Sequence, residues 1–173
     1  MFKRVFLLLV LVLVLGAAAV YYWQGGFSKV PVSETTSVGK TIAGRYYQGP
    51  VRSAELNQLF EQAGSLAKSG ELKGNLGGIY YNNPDEEKGI VKAFVGVVLS
   101  SPNQTLPANF ELRQWPANQR VLQATVNAHH TLIPGKAYPA LFNYAKEKNL
   151  SLKTLYFEEF ESERRGTIQV ALE

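Results

Sequence analysis

The sequence predicts an α+β fold: a duplicated β-α-β-β module with pseudo-twofold symmetry and a central groove, preceded by one N-terminal transmembrane helix. Three observations carry that expectation. An uncharged run from Val5 to Trp23 follows Lys3 and Arg4. Beyond it, the order strand, helix, strand, strand occurs twice, over about residues 40–100 and 109–173. Each copy holds one segment whose apolar residues recur at three- and four-residue steps, the spacing of a helix with one buried stripe.

At about 1.5 Å rise per residue, the run VFLLLVLVLVLGAAAVYYW spans a hydrocarbon layer of ~30 Å. Two readings of residues 1–23 compete. In a signal peptide, Lys3-Arg4 is the basic region, Val5–Leu15 the apolar region and Ala17-Ala18-Ala19 the cleavage site. In an anchor, the apolar run continues past the alanines into an interfacial belt, Tyr21-Tyr22-Trp23. No polar stretch precedes the alanines, which favours the anchor. No basic residue follows until Lys29, so the positive-inside rule keeps the N-terminus cytoplasmic and places the C-terminal domain outside, periplasmic or luminal. Signal cleavage would make the domain a secreted one. Residues 24–39, rich in Gly, Ser, Thr and Val, read as a tether to a domain over 40–173.

The remaining composition excludes several classes. There is no cysteine, so disulfides, thiolate metal sites and Cys nucleophiles are absent. Without Lys3 and Arg4 the formal charge of +4 falls to about +2, and the basic residues are scattered. Nucleic-acid binding needs a concentrated basic footprint and is not expected. No Ser-His-Asp order, nucleophile elbow, phosphate loop or zinc spacing is present.

The first copy opens with KTIAGRYYQGP, a β-rich run closed by Gly49-Pro50. A helix from Ser53 to Ser69 follows, with Leu56, Leu59, Phe60, Ala63, Leu66 and Ala67 as its stripe, Ser53 as cap and Gly70 as stop. GGIYYNNP is a short aromatic strand halted at Asn82-Asn83-Pro84. After the polar loop DEEKG comes the β-branched strand IVKAFVGVVLS. The second copy begins with FELRQWPANQRVLQATVNAHH, two β-like pieces around Trp115-Pro116. Its helix runs from Tyr138 to Lys148, with Pro139 in the first turn, Asn149 at the end, and Tyr138, Leu141, Phe142 and Ala145 buried. LYFEEFESE, a turn at Arg164-Arg165-Gly166 and GTIQVAL complete it.

LYFEEFESE carries the most chemistry. With period two, one face holds Tyr156, Glu158, Phe160 and Ser162, the other Leu155, Phe157, Glu159, Glu161 and Glu163. Glu158 thus stands between two aromatics, a receptacle for an organic cation in which Coulomb and cation–π attraction add. Partial burial would raise its pKa and suit it to acid–base work as well. The plainer alternative is a strand in water with solubilising glutamates, which is the expectation for Glu159, Glu161 and Glu163. Aligning Tyr81–Pro84 with Phe160–Glu163 sets Ile79 against Glu158. Tyr81 then lines the groove with its hydroxyl, or is an ordinary half-buried strand tyrosine. Trp115 is a further candidate wall and a fluorescent reporter. His129 and His130, adjacent on a strand, point to opposite faces and do not chelate one ion together, so no metal and no cofactor is expected.

With these elements laid out, the chain resembles the GyrI-like small-molecule-binding domain family, whose architecture is shared by SOUL-type haem-binding proteins. AGRYYQGP, GGIYYNNP, GKAYPALFNYAKEKNL and YFEEF followed by TIQVAL carry the likeness, over about Lys40 to Glu173. The anchor together with GKAYPAL is most similar to a single-span branch that includes an endoplasmic-reticulum autophagy receptor. The resemblance implies a ligand groove between two halves and a second-copy glutamate, two residues before an aromatic, that binds cationic lipophilic compounds. The matching residues are Glu158 and Phe160. Two departures stand against the receptor role: the chain stops at Glu173, without the tail that branch uses for partners, and its basic N-terminus argues for an extracytoplasmic domain.

The function expected is therefore a membrane-anchored binding module for a cationic or amphipathic small molecule. Its site would comprise Glu158, Phe160, Tyr156, Tyr81 and Trp115. One alternative is a hydrolase of a reactive small molecule using a groove Glu and Tyr. Another is a protein-interaction module with a vestigial groove, its protein partners unspecified.

Overall fold

In the computed structural model of the chain, which describes residues 2–83 and 87–173, the uncharged run forms α1 (Phe2–Trp23). Its side chains from Val5 to Leu15 are exposed, as those of an apolar helix with no protein around it must be. It is long and apolar enough to cross a bilayer, a property that a signal sequence shares.

The next segment corrects the expected tether. Within it, β1 (Val32–Thr36) pairs antiparallel with β6 (Arg120–Val126), from Val32↔Ala124 to Thr36↔Arg120. Ser37 then pins the chain by donating to the Pro116 carbonyl at 2.6 Å and accepting from the Gln119 N–H at 3.1 Å. VSETT has no apolar alternation because it is an edge strand, exposed at four of its five residues and defined by its partner's backbone.

The other strands are β2 (Lys40–Pro50), β3 (Gly74–Tyr80), β4 (Ile90–Leu99), β5 (Glu111–Trp115), β7 (Leu152–Ser162) and β8 (Arg165–Leu172). With β1 and β6 they make one eight-stranded sheet, antiparallel at every pairing, in the order β1-β6-β8-β7-β3-β4-β2-β5. Outward from the β7–β3 boundary, β3-β4-β2-β5 runs one way and β7-β8-β6-β1 the other. The segments β2-α2-β3-β4 and β6-α3-β7-β8 therefore present the same element order on the two sides. The two β pieces around Trp115-Pro116 part company: β5 lies beside β2 at one edge, and β6 lies in the other half. Of the polar loop after GGIYYNN, residues 84–86 lie outside the described residues.

Local signals fix the two helices that follow. In α2 (Ala54–Ser69), Ser53 accepts from the Leu56 N–H at 3.0 Å, and Gly70 closes the helix at φ 77°. In α3 (Ile133–Lys148), Asn149 takes the left-handed closing position at φ 53°. This helix begins earlier than its apolar stripe predicts. A short 3₁₀ turn (His130–Leu132) leads straight into it, so Pro139 sits inside the helix and not in its first turn. Pro139 has no N–H to give the Gly135 carbonyl, a cost that Pro134 in the opening turn does not incur.

Both helices pack on one face of the sheet. α3 buries Leu122, Ala124, Ile168 and Val170, while α2 buries Ala43, Val95 and Val97. The other face curls over on itself. Trp115 on the edge strand β5 stacks on Phe157 of the central strand β7, with ring centroids 5.4 Å apart, and Ile42, Phe94 and Val98 pack beside them. Glycines permit the bend: Gly44, Gly96 and Gly77 stand abreast on β2, β4 and β3. A Cβ on Gly96 would meet the Ala43 carbonyl oxygen at 2.0 Å, so the strands can approach this closely only without one.

Candidate functional site

The helix-covered face has a gap where the two halves meet. There β7 and β3 lie side by side, with Tyr156 opposite Tyr80, Glu158 opposite Gly78 and Phe160 opposite Leu76. Period two sends these six positions to the same face. Gly78 contributes no side chain, which leaves space beside Glu158. Above this floor, Leu56 and Phe60 of α2 face Tyr138 and Phe142 of α3 across a cavity of ≈ 390 Å³. Glu158 sits at its base, 5% exposed, with Tyr80 and Tyr156 as flanking aromatics.

The electrostatics are unusual for a carboxylate. Tyr138 donates its hydroxyl to Glu158 Oε1 at 2.7 Å, and the Tyr80 hydroxyl bonds the same carboxylate. No lysine, arginine or histidine pairs with Glu158 among the described residues. Burial pushes its carboxyl pKa up, and the two phenol hydrogen bonds only partly pull it back. Burial likewise raises both phenols well above the ordinary tyrosine range, with the Glu158 charge adding to it. They are donors, not acids, at neutral pH. Tyr138 also meets Tyr156 edge-on at 5.7 Å and Phe142 at 5.9 Å. Their faces and edges make an aromatic box around one negative charge.

The residues singled out in the sequence divide in three ways. Glu158 and Tyr156 line this cavity. Phe160 lies next to it, on the floor of an adjoining trough of ≈ 700 Å³. Tyr81 and Trp115 are elsewhere. Tyr81 projects to the curled face, where Arg113 donates to its hydroxyl at 3.3 Å and lies over the Tyr46 ring at 5.5 Å. Trp115 is 1% exposed in the core of that face, donating from Nε1 to Gln169 Oε1 at 2.7 Å. The equivalence of Ile79 and Glu158 between the two copies fails for the same reason: Ile79 is buried beside Phe157 on the curled face, whereas Glu158 faces the helices.

The glutamates that were expected in water also divide. Glu159 is 7% exposed, paired with Lys40 at 3.1 Å and accepting from Asn75 Nδ2 at 2.8 Å. Glu161 and Glu163 are on the surface, Glu161 paired with Arg165 at 2.6 Å. Conversely, Tyr80 is not among the residues that the sequence points to, and the helical spacing places Tyr138, Phe142 and Phe60 in helix packing. The only local signal for Tyr80 is that it precedes Tyr81 by one position on the strand. His129 and His130 are not on a strand but at the turn entering α3, so their rings do not point apart: they lie tilted with centroids 4.2 Å apart, His129 Nδ1 bonding Thr131 Oγ1 at 2.9 Å. Among the described residues no group of His, Asp or Glu is arranged to hold a metal ion.

No family model matches the chain, and neither does any curated protein. Solved structures do. SAV2435, determined bound to tetraphenylphosphonium, superposes with a TM-score of 0.57 at 10% identity, covering 83% of this chain and 94% of that one. The integron cassette protein VCH_CASS2 of Vibrio cholerae gives 0.62 at 14% identity over 82% and 95%. The C-terminal domain of EcmrR gives 0.55 at 14% identity over 83% and 98%. Over nearly the whole of those domains, the chain shares the fold of SAV2435, VCH_CASS2 and the EcmrR C-terminal domain.

Proposed function

We propose that this protein is a membrane-anchored binding module for a lipophilic organic cation, held between two repeated halves of the fold with Glu158 as counter-ion. One observation carries the reading: a buried carboxylate with no basic partner among the described residues closes an aromatic cavity. Such a charge is costly to keep out of water, and a bound cation removes that cost. Tyr80, Tyr138 and Tyr156 supply π-faces, each contributing about 0.5–2 kcal/mol to a desolvated cation. The tetraphenylphosphonium bound by SAV2435 is a molecule of this class, and its fold is the one described above. α1 serves as the anchor, with Lys3 and Arg4 on the cytoplasmic side and the domain outside.

The test is calorimetric titration of the full chain, in lipid nanodiscs, with tetraphenylphosphonium. Glu158→Gln keeps the shape and an acceptor for Tyr138 but removes the charge, and affinity should fall at least about tenfold. Equal affinity in the two proteins refutes the assignment.

A hydrolytic reading has one observation in its favour, an elevated carboxyl beside two phenol donors, the arrangement of a general acid near an oxyanion site. Tyr138 and Tyr80 would then take the place expected for Tyr81. Turnover of a strained electrophile, lost in Glu158→Gln, would select it. The cavity is not filled by the protein's own side chains, so the vestigial-groove alternative has no support in this geometry.

A further inference from the structure

We propose that the trough beside the Glu158 cavity holds the hydrocarbon chain of the same ligand, which makes that ligand a single-chain amphipathic cation. This rests on the assignment of Glu158 as counter-ion and extends it. The two spaces adjoin: Asn57 and Phe60 line both. Phe160 and Leu76, the floor of the trough, are the next same-face pair along β7 and β3 after Glu158 and Gly78. The α2 wall includes Gly64 and Ala67, residues too small to close the space, with Phe60 at one side and Glu61 and Lys68 along it. A compact cation fills the ≈ 390 Å³ beside Glu158 and leaves the ≈ 700 Å³ trough with a bare apolar floor. An alkyl chain running from the cationic head over Leu76 and Phe160 covers it.

The far end of the trough points to the same occupant. It is lined there by His130 and Glu163, where the His130 N–H donates to the Glu163 carbonyl at 2.9 Å. Immediately beyond, the His129 N–H donates to the Gln24 carbonyl at 2.8 Å, and the Arg164 guanidinium lies 5.0 Å over the Trp23 ring. Trp23 ends the apolar helix α1, and Gln24 follows it directly. This end of the trough thus adjoins the base of the proposed anchor, where a bilayer surface would concentrate amphiphiles.

Gly64 allows a clean test. A Cβ at this position meets nothing within 4 Å, and leucine is a far better helix former than glycine, so Gly64→Leu folds and fills the trough without touching Glu158. Octyl-, decyl- and dodecyltrimethylammonium and tetraphenylphosphonium are titrated into the full chain in nanodiscs, at free concentrations fixed by dialysis against empty discs. In the unsubstituted protein, affinity should rise about two- to fourfold per added methylene. In Gly64→Leu that rise should flatten, dodecyltrimethylammonium losing about tenfold or more while tetraphenylphosphonium changes less than about twofold. An unaltered chain-length series in Gly64→Leu overturns the proposal, as does an equal loss for both cation types. Either failure, with tetraphenylphosphonium still dependent on Glu158, removes only the chain site. Loss of that dependence removes the head-group assignment as well.

Discussion

Tyr138 on α3 donates to Glu158 on β7 across 2.7 Å, and this phenol, not a cation, is what the buried carboxylate faces. The bond joins a helix to the strand that follows it and holds the acid at the bottom of the gap between the halves. It stabilises the charged form without neutralising it. The site therefore has charge to offer a ligand, at a cost to the folded state.

That cost sets a pH dependence. Burial raises the carboxyl of Glu158 above its value in the unfolded chain. Its contribution to stability is full below the unfolded pKa and is lost as pH rises through the folded one. Each pH unit by which the carboxyl is elevated costs about 1.4 kcal/mol at neutral pH. Glu158→Gln, which cannot ionise, should melt higher than the unsubstituted protein at pH 7–8, with the gap closing towards pH 4. A melting-temperature difference that stays constant over that range would contradict this origin.

Tyr138→Phe tests the hydrogen bond from the other side. It removes a donor to a buried charged group, a loss of about 1–3 kcal/mol in stability at neutral pH by urea denaturation. Because that bond favours the ionised form, its removal also raises the carboxyl further. The pH at which cation binding switches on should move upward in Tyr138→Phe. A midpoint that stays in place would show that Tyr80 alone sets the protonation of Glu158.

How much of this was legible in the sequence follows from the range of each interaction. The helix ends were readable because Ser53, Gly70 and Asn149 act on backbone groups within a turn of themselves. The face on which Glu158 lies was readable because strand parity is local. Its neighbours were not. Tyr80 and Tyr81 are adjacent, and which of them meets Tyr156 depends on the register of β3 against β7; a shift of one residue exchanges the faces. Tyr138 and Phe142 come from a helix whose rotation over the sheet is set by the whole core. β1 has no local signal because its ordering comes from β6, over eighty residues away in the chain.

Glu159 and Glu163 illustrate the same limit and give a measurable contrast. Both sit among the glutamates of one segment, yet Glu159 is buried between Lys40 and Asn75 while Glu163 is exposed. Glu159→Ala strands Asn75 Nδ2 in a part-buried site and should cost about 1–3 kcal/mol. Glu163→Ala should stay within about 0.5 kcal/mol. Thermal melts of the two variants side by side decide it; equal effects would mean that the curl over Glu159 is looser than described.

Trp115 separates stability from binding. Its ring is buried against Phe157 on the curled face, and its Nε1–H satisfies Gln169, which in turn donates to Gln123 Oε1 at 2.7 Å. Trp115→Phe keeps an aromatic against Phe157 but leaves the buried Gln169 oxygen without its donor. The expected loss is about 1–3 kcal/mol, with part of the ring's packing added to it. The sheet lies between this residue and Glu158, so tetraphenylphosphonium affinity, measured well below the lowered melting temperature, should change by less than about twofold. A large fall in affinity would place Trp115 in communication with the cavity through the strands, against the separation of the two faces on which the site assignment depends.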